Sequence, residues 1–273
     1  SGAIAQVQGD PAEGDIVSVH AADGSFLALG HYQIGSIAVR VLSFDESALR
    51  PDFWEDMLSR AFQVRVAAGL HSDSEDAQTN CYRLVHGEGD NLPGLIVDIY
   101  GDTAVMQAHS VGMHVNRMNI ADAVKEIMGD KIKNIYYKSD TTLPYKADIN
   151  KDNGYIMGGN ASNISTEYGL KFHIDWLRGQ KTGFFIDQRD NRSLLEHYAK
   201  DKEVLNMFCY TGGFSVYALR GGLVVDNTLW YLVGGAMGGV AAGFLFRRIP
   251  VQWLRWAMAG FLLYGGIKAV LLV

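Results

Sequence analysis

Two glycine-bearing stretches hold the residues best suited to chemistry. The first runs Gly179-Gln180-Lys181-Thr182-Gly183-Phe184-Phe185-Ile186-Asp187-Gln188-Arg189-Asp190-Asn191-Arg192. Polar groups of both charges crowd there beside two aromatic side chains. Such a set suits a small ligand with an adenine ring and charged ends better than a plain polar loop does. Lys181-Thr182 invites a phosphate-loop reading, but the glycine pattern that must precede it is missing. The second stretch is Val204-Leu205-Asn206-Met207-Phe208-Cys209-Tyr210-Thr211-Gly212-Gly213-Phe214. Its paired glycines follow an apolar run and precede a helical pattern. A ligand can approach the backbone closely at such a turn, and the helix start beyond it offers N–H groups. A Gly-Gly turn is also a common structural connection, so this stretch alone decides little.

These stretches need elements to position them. The apolar run 203–208 predicts a buried strand, and Phe214 to Arg220 a helix, which together form the opening unit of a doubly wound sheet. Residues 189–200 predict a helix with Leu194, Leu195 and Tyr198 toward a core. Further upstream the chain reads as α+β. Short strands fill residues 1–44, with a turn at Ala22-Asp23-Gly24-Ser25. A helix spans about 51–68, with Phe53, Met57 and Ala61 on one face. Strands are expected at 81–86, 95–100, 103–108 and 132–138, a helix at 116–128, and a hairpin region over 154–175 that turns near Tyr168-Gly169.

With these elements in place, residues 1–222 resemble the PUA-containing class I S-adenosylmethionine-dependent methyltransferases that modify large-subunit ribosomal RNA at cytosine C5. Besides the two stretches above, the resemblance rests on Ser1-Gly2-Ala3-Ile4, Gly30-His31-Tyr32 and residues 35–40, which are similar to the PUA barrel. Residues 82–98, from Tyr82-Arg83-Leu84 through Leu92-Pro93-Gly94 to Val97-Asp98, are similar to the central domain of that family. It implies a partial RNA-binding PUA barrel over 1–45, a central α+β domain over 46–178 and the start of a Rossmann-like methyltransferase unit over 179–222. S-adenosylmethionine is the implied cofactor and ribosomal RNA the implied partner. The implied cofactor contacts are Gln180, Lys181, Thr182, Gly183, Phe184, Asp187, Arg189, Asn206, Phe208, Tyr210, Thr211, Gly212, Gly213 and Phe214, with the two stretches facing each other across one pocket.

The departures from the family pattern also carry expectations. The stretch that normally precedes Ser-Gly-Ala-Ile is missing, as are the Asp-Pro-Pro loop that positions the base and the downstream cysteine region. Asp226 stands at a suitable distance for a ribose-binding carboxylate, yet the residues after it do not continue the pattern. Cytosine C5 methylation needs a thiolate to attack C6 before C5 accepts the methyl group. Cys209 reads as a small structural hydrophobe beside a buried strand, and Cys81 lies in a strand. No catalytic nucleophile is assigned, and the chain as written is expected to be truncated and inactive. A non-catalytic RNA-binding module is the alternative reading.

Composition sets the outer bounds. The 273 residues carry a net charge of −6. Removing the four basic and one acidic side chains of residues 223–273 leaves 20 basic against 29 acidic, a net of −9, for the body. An acidic body has no global footprint for nucleic acid, so any such contact must be local. Two distant cysteines match no metal spacing and suit a reduced cytoplasmic setting. Eight histidines follow no metal-ligand pattern, no G-x-S-x-G is present, and no metal is expected. The N-terminus has neither an initiator Met nor the layout of a signal peptide.

The last fifty residues break this character. Residues 229–246 are uncharged, and 251–273 are interrupted only by Arg255 and Lys268. Both runs are long enough for a bilayer core of roughly 30 Å, and Arg247-Arg248-Ile249-Pro250 separates them. They are expected to form an apolar, transmembrane-type hairpin, similar to the C-terminal hairpin of sulfite-exporter-like permeases, with membrane contact through residues 223–273. The positive-inside rule places the two arginines in the cytoplasm and the body on the opposite side, where it could not meet ribosomes. A chimeric reading frame joined near Gly221-Gly222 resolves that conflict better than a membrane-anchored enzyme.

Overall fold

The computed structural model describes residues 4–71, 77–144, 152–207 and 209–224. The chain divides into two compact units. One joins Ser1–Leu194 with Phe208–Val216, and the other joins Leu195–Met207 with Tyr217–Val273.

The first unit begins with an antiparallel three-stranded sheet, β1 (Ile16–His20), β2 (Phe26–Tyr32) and β3 (Val39–Ser43). Helix α1 (Phe53–Ala67) follows it and buries Phe53, Trp54, Met57, Leu58 and Ala61. The N-terminal sheet is tied to the rest through His31 on β2. Its imidazole stacks over Trp54 at 6.4 Å and lies so close to Gly112 that an added Cβ would come within 2.1 Å of His31 Cγ.

The centre is a five-stranded sheet in the order β4 (Cys81–His86), β5 (Leu95–Tyr100), β6 (Thr103–Ala108), β7 (Asn134–Tyr137) and β8 (Gly154–Met157). All neighbours are antiparallel except β6 and β7, which run parallel with Val105 opposite Tyr136. That single parallel step needs a crossover, supplied by α2 (Val111–Val115) and α3 (Arg117–Met128). The expected hairpin over 154–175 is therefore split. β8 joins the large sheet, while β9 (Ile164–Glu167) and β10 (Leu170–His173) pair with each other. Tyr168 and Gly169 between them have φ of 46° and 78°, the left-handed pair of a tight hairpin turn.

The two-residue period of the strands sorts the side chains of this sheet. Leu84, Val97, Ile99, Ala104, Met106, Ile135 and Tyr137 join the core built with α1 and α3. The intervening positions Arg83, Asp98, Tyr100, Tyr136 and Lys138 belong to the opposite face. That face is not left to water, because the segment after β10 lies across it. Trp176 is fully buried there, stacked against Tyr100 at 6.3 Å, with its indole N–H donated to Tyr155 Oη at 3.2 Å.

Beyond that segment, α4 (Arg189–Tyr198) and α5 (Gly213–Arg220) form as expected, but their surroundings differ from expectation. α4 buries Arg189 and Arg192, while Leu194 and Tyr198 are exposed. The polar face points inward because a buried carboxylate, Glu167, awaits it on β9. The strand expected at 203–208 is also corrected. Residues 202–207 have no regular structure, with Leu205 and Met207 exposed, and residue 208 lies outside the described residues. An unpaired strand leaves its backbone groups unsatisfied, and among the described residues none of the strand pairings involves this segment. The Rossmann-like unit is thus represented here by its turn and helix. Within the second unit, Arg220 pairs with Glu196 through two bonds of 2.6 Å.

No helix among the described residues is long and apolar enough to cross a membrane. The two apolar runs expected to form a hairpin, 229–246 and 251–273, and Asp226 lie outside the described residues.

Candidate functional site

The loop 175–188 is built from the sheet face outward. Asp175 starts it, accepting bonds from the N–H groups of Arg178 and Gly179 at 2.9 and 2.8 Å. Gly183 must be glycine: its φ is +113° and a Cβ would sit 2.9 Å from the Trp176 nitrogen. Lys181, with φ of 50°, also takes a left-handed conformation, which costs a side-chain-bearing residue free energy. Its ammonium lies 4.7 Å over the Phe185 ring.

Three anchors hold that conformation. At the loop's start, Lys138 Nζ, on the strand end β7, donates to the Gly179 carbonyl. Burial lowers the pKa of Lys138, with Asp140 and Asp175 opposing the shift. In the middle, the Thr182 hydroxyl is buried and bonded to Asp98 Oδ2 at 2.5 Å and Tyr100 Oη at 2.9 Å. Asp98 in turn accepts two bonds from Arg83, at 2.8 and 3.0 Å. These bonds to a buried carboxylate are what raise the pKa of the Arg83 guanidinium. The third anchor comes from the second glycine stretch. Tyr210 Oη accepts the Gln180 N–H at 2.8 Å and donates to the Gly183 carbonyl at 3.3 Å, while its ring meets Phe185 edge-on at 5.1 Å.

The second stretch is shaped for that contact. Tyr210 and Gly212 have φ of 48° and 74°, and the Gly212 N–H closes the turn on the Cys209 carbonyl at 2.7 Å. Gly213 then opens α5 over the side chain of Arg192, where a Cβ would lie 3.0 Å from Cδ. The first-turn N–H groups of an α-helix have no carbonyl partner within the helix, which suits them to an anionic group.

Arg192 is the floor of this arrangement. It forms a two-point pair with Glu167, donates to the Phe185 carbonyl at 2.9 Å and places its guanidinium 4.5 Å from the Phe184 ring centre. Arg189 reaches the same carboxylate at 3.3 Å and the Cys81 carbonyl. One buried acid thereby fixes both the start of α4 and the loop ahead of it.

The expected contact residues separate into groups. Gln180, Gly183 and Tyr210 come together where the two stretches meet, and Gly212 and Gly213 follow Tyr210 in the turn. Lys181, Asp187 and Thr211 are exposed near them, and Phe214 is half-buried. Thr182, Phe184 and Arg189 turn into the interior, where they hold the loop instead of lining a surface. Asn206 lies in the irregular segment of the second unit, and Phe208 is outside the described residues. Sequence reasoning missed Asp98, Tyr100, Lys138 and Glu167. The available signal was a charged residue inside the apolar run Leu95-Ile96-Val97-Asp98-Ile99-Tyr100.

The two thiols also differ from expectation. Cys81 is buried, and its pKa is pushed up to about 11 by burial and the nearby Glu167. Cys209 is exposed, not a packed hydrophobe. Among the described residues no group of His, Cys, Asp or Glu is placed to hold a metal ion.

Two family models match this chain. Residues 1–44 match a PUA-like domain, and residues 155–236 match an S-adenosylmethionine-dependent methyltransferase. The second match begins ahead of residue 179 and runs past residue 222, the bounds expected from sequence. Over about four fifths of its length the chain is similar to PUA-containing S-adenosylmethionine-dependent methyltransferases. Curated relatives of this family carry the name ribosomal RNA large subunit methyltransferase I. The protein of Vibrio campbellii is 37% identical over 222 residues, which is 80% of this chain and 54% of the relative. That of Aeromonas hydrophila is 39% identical over 224 residues, 80% of this chain and 55% of the relative. The chain thus spans about half the length of the curated relatives it matches.

Among solved structures, a Streptococcus mutans protein described as a candidate methyltransferase of this class superposes with a TM-score of 0.64. It is 24% identical and covers 79% of this chain and 55% of its own. A second candidate methyltransferase, solved in complex with SAH, gives a TM-score of 0.65 at 24% identity, covering 78% of this chain and 53% of its own. At that identity the likeness speaks for the fold alone. The residues that meet here fit S-adenosylmethionine in kind: aromatic faces, main-chain N–H groups at a glycine turn, and charged side chains nearby.

Proposed function

We propose that this chain carries the cofactor-binding part of an S-adenosylmethionine-dependent methyltransferase acting on large-subunit ribosomal RNA, with cytosine C5 as the acceptor. The observation that carries this reading is the Tyr210 hydroxyl, which joins two sequence-distant glycine stretches by bonding Gln180 and Gly183. When bound, S-adenosylmethionine supplies an electrophilic methyl group. The chain's own residues orient it: Phe185 and Tyr210 offer aromatic edges and faces, and the α5 start at Gly212-Gly213 receives an anionic end. The PUA-like sheet supports ribosomal RNA as partner and, with it, a cytoplasmic setting for the body.

C5 transfer needs a thiolate; the Cys81 thiol, pushed up to about 11, is almost wholly protonated at neutral pH, and residues 1–273 hold no Asp-Pro-Pro loop to bring a base to exposed Cys209. Residues 1–273 alone are therefore expected to bind cofactor without methylating RNA. Equilibrium dialysis against labelled S-adenosylmethionine, with ATP and NAD as competitors, tests the first part. Saturable binding displaced by S-adenosylhomocysteine and not by ATP or NAD supports it, and no binding refutes it. Incubation with undermodified large subunits tests the second part. Transfer at the rate of a full-length relative would contradict it.

A further inference from the structure

We infer that Asp98, a residue of the central sheet, is a positioning residue for the cofactor loop, acting through Thr182. The inference rests on the reading that residues 180–187 touch S-adenosylmethionine. Asp98 is fully buried on β5, on the face away from the α1/α3 core. It accepts from Arg83 Nε and Nη2 and from Thr182 Oγ1, at 2.8, 3.0 and 2.5 Å.

The direction of the chain of bonds follows from proton count. Thr182 has one hydroxyl proton, and a carboxylate can only accept it. Tyr100 therefore donates to Thr182 Oγ1 at 2.9 Å, its one proton shared with the more distant Phe184 carbonyl at 3.4 Å. Burial, with Asp98 second, drives the Tyr100 pKa well up, so its proton stays in place. Tyr100, Thr182 and Asp98 make one ordered relay that ends on the Arg83 charge, with each bond polarising the next.

The position of Thr182 in the loop gives the relay its role. Lys181 before it and Gly183 after it both have positive φ, at 50° and 113°. A loop with left-handed residues on either side of its anchor relaxes toward ordinary backbone angles when the anchor is cut. The Gln180 N–H and the Gly183 carbonyl, which both bond Tyr210, would then lose their common register. The central domain thus shapes the cofactor site from beneath.

Thr182→Val keeps the shape and removes the hydroxyl, Thr182→Ser restores it, and Tyr100→Phe cuts the relay one step earlier. In the 273-residue chain, Thr182→Val is expected to weaken S-adenosylhomocysteine binding by about five- to tenfold. It should also speed amide exchange at residues 180–185 while leaving β5 and β6 protected. Thr182→Ser should return both readouts to near wild type, and Tyr100→Phe should fall between. Unchanged exchange at 180–185 in Thr182→Val overturns the inference, as does an increase spread evenly through the sheet. A wild-type chain that binds no S-adenosylhomocysteine overturns the cofactor reading, and the exchange measurement still decides whether Asp98 holds the loop.

Discussion

The Arg192 guanidinium meets the Glu167 carboxylate at two points, Nε to Oε1 and Nη2 to Oε2, each at 2.8 Å. Both side chains are buried, and Arg189 shares the same acid. The pair joins the β9–β10 hairpin to α4 and, through the Phe185 carbonyl, to the loop that meets Tyr210. A buried ion pair adds little over apolar packing, but breaking one strands a charge. Glu167→Gln should therefore destabilise the first unit by about 3–5 kcal/mol. Urea unfolding followed by the fluorescence of buried Trp176 measures the loss, and a change below about 1 kcal/mol would show that the arginines find other partners.

His31 predicts a pH dependence. Burial lowers its pKa from 6.5 to about 4, with Asn116 Nδ2 at 3.3 Å from Nε2 and no partner for Nδ1 among the described residues. As pH falls, the unfolded chain takes up the proton first. The stability contributed by neutral His31 is whole above pH 6.5 and drains away toward pH 4, by up to about 3 kcal/mol. His71, His109 and His114 are also lowered, so the wild-type slope has several sources of one sign. His31→Phe should flatten the slope between pH 6.5 and 4. An unchanged slope would remove His31 from the account.

The two cysteines should react at very different rates. At pH 8, a thiol reagent is expected to modify exposed Cys209 quickly and to spare Cys81, whose thiol is buried and raised to about 11. Mass spectrometry of the native chain should find one label, and of the denatured chain two. Early labelling at Cys81 would contradict its burial beneath Arg189.

Legibility in the sequence followed the periodicities. The strands expected at 81–86, 95–100 and 103–108 form at those residues, the one expected at 132–138 forms as β7, and the helices expected at about 51–68 and at 116–128 form as α1 and α3. One group of failures concerns charged residues, whose burial their type alone does not show. Asp98, Lys138, Arg189 and Arg192 look like surface positions from type alone, yet each is buried against a partner distant in sequence. No local pattern reveals that Glu167 will stand opposite Arg192. The apolar run 203–208 failed in the other direction, since a strand forms only where another strand offers its backbone bonds. The meeting of the two glycine stretches rests on Tyr210, whose hydroxyl gives no local sign of its reach.

Tyr210→Phe isolates that meeting. It keeps the edge-on contact with Phe185 and removes the bonds to Gln180 and Gly183. A loss of about 0.5–1.5 kcal/mol is expected, or roughly two- to tenfold in S-adenosylhomocysteine affinity, with the unfolding midpoint little changed. Isothermal titration of the variant beside wild type measures it. Equal affinities would mean that the hydroxyl does not order the site.

On the proposed reading, the loop 179–187 and the turn 209–214 hold one cofactor together. Photo-cross-linking of labelled S-adenosylmethionine to the 273-residue chain, followed by mapping of the labelled peptides, tests it most directly. Label is predicted in peptides from both segments, and excess S-adenosylhomocysteine should abolish it. Label confined to other parts of the chain, or label that the competitor fails to displace, would contradict it.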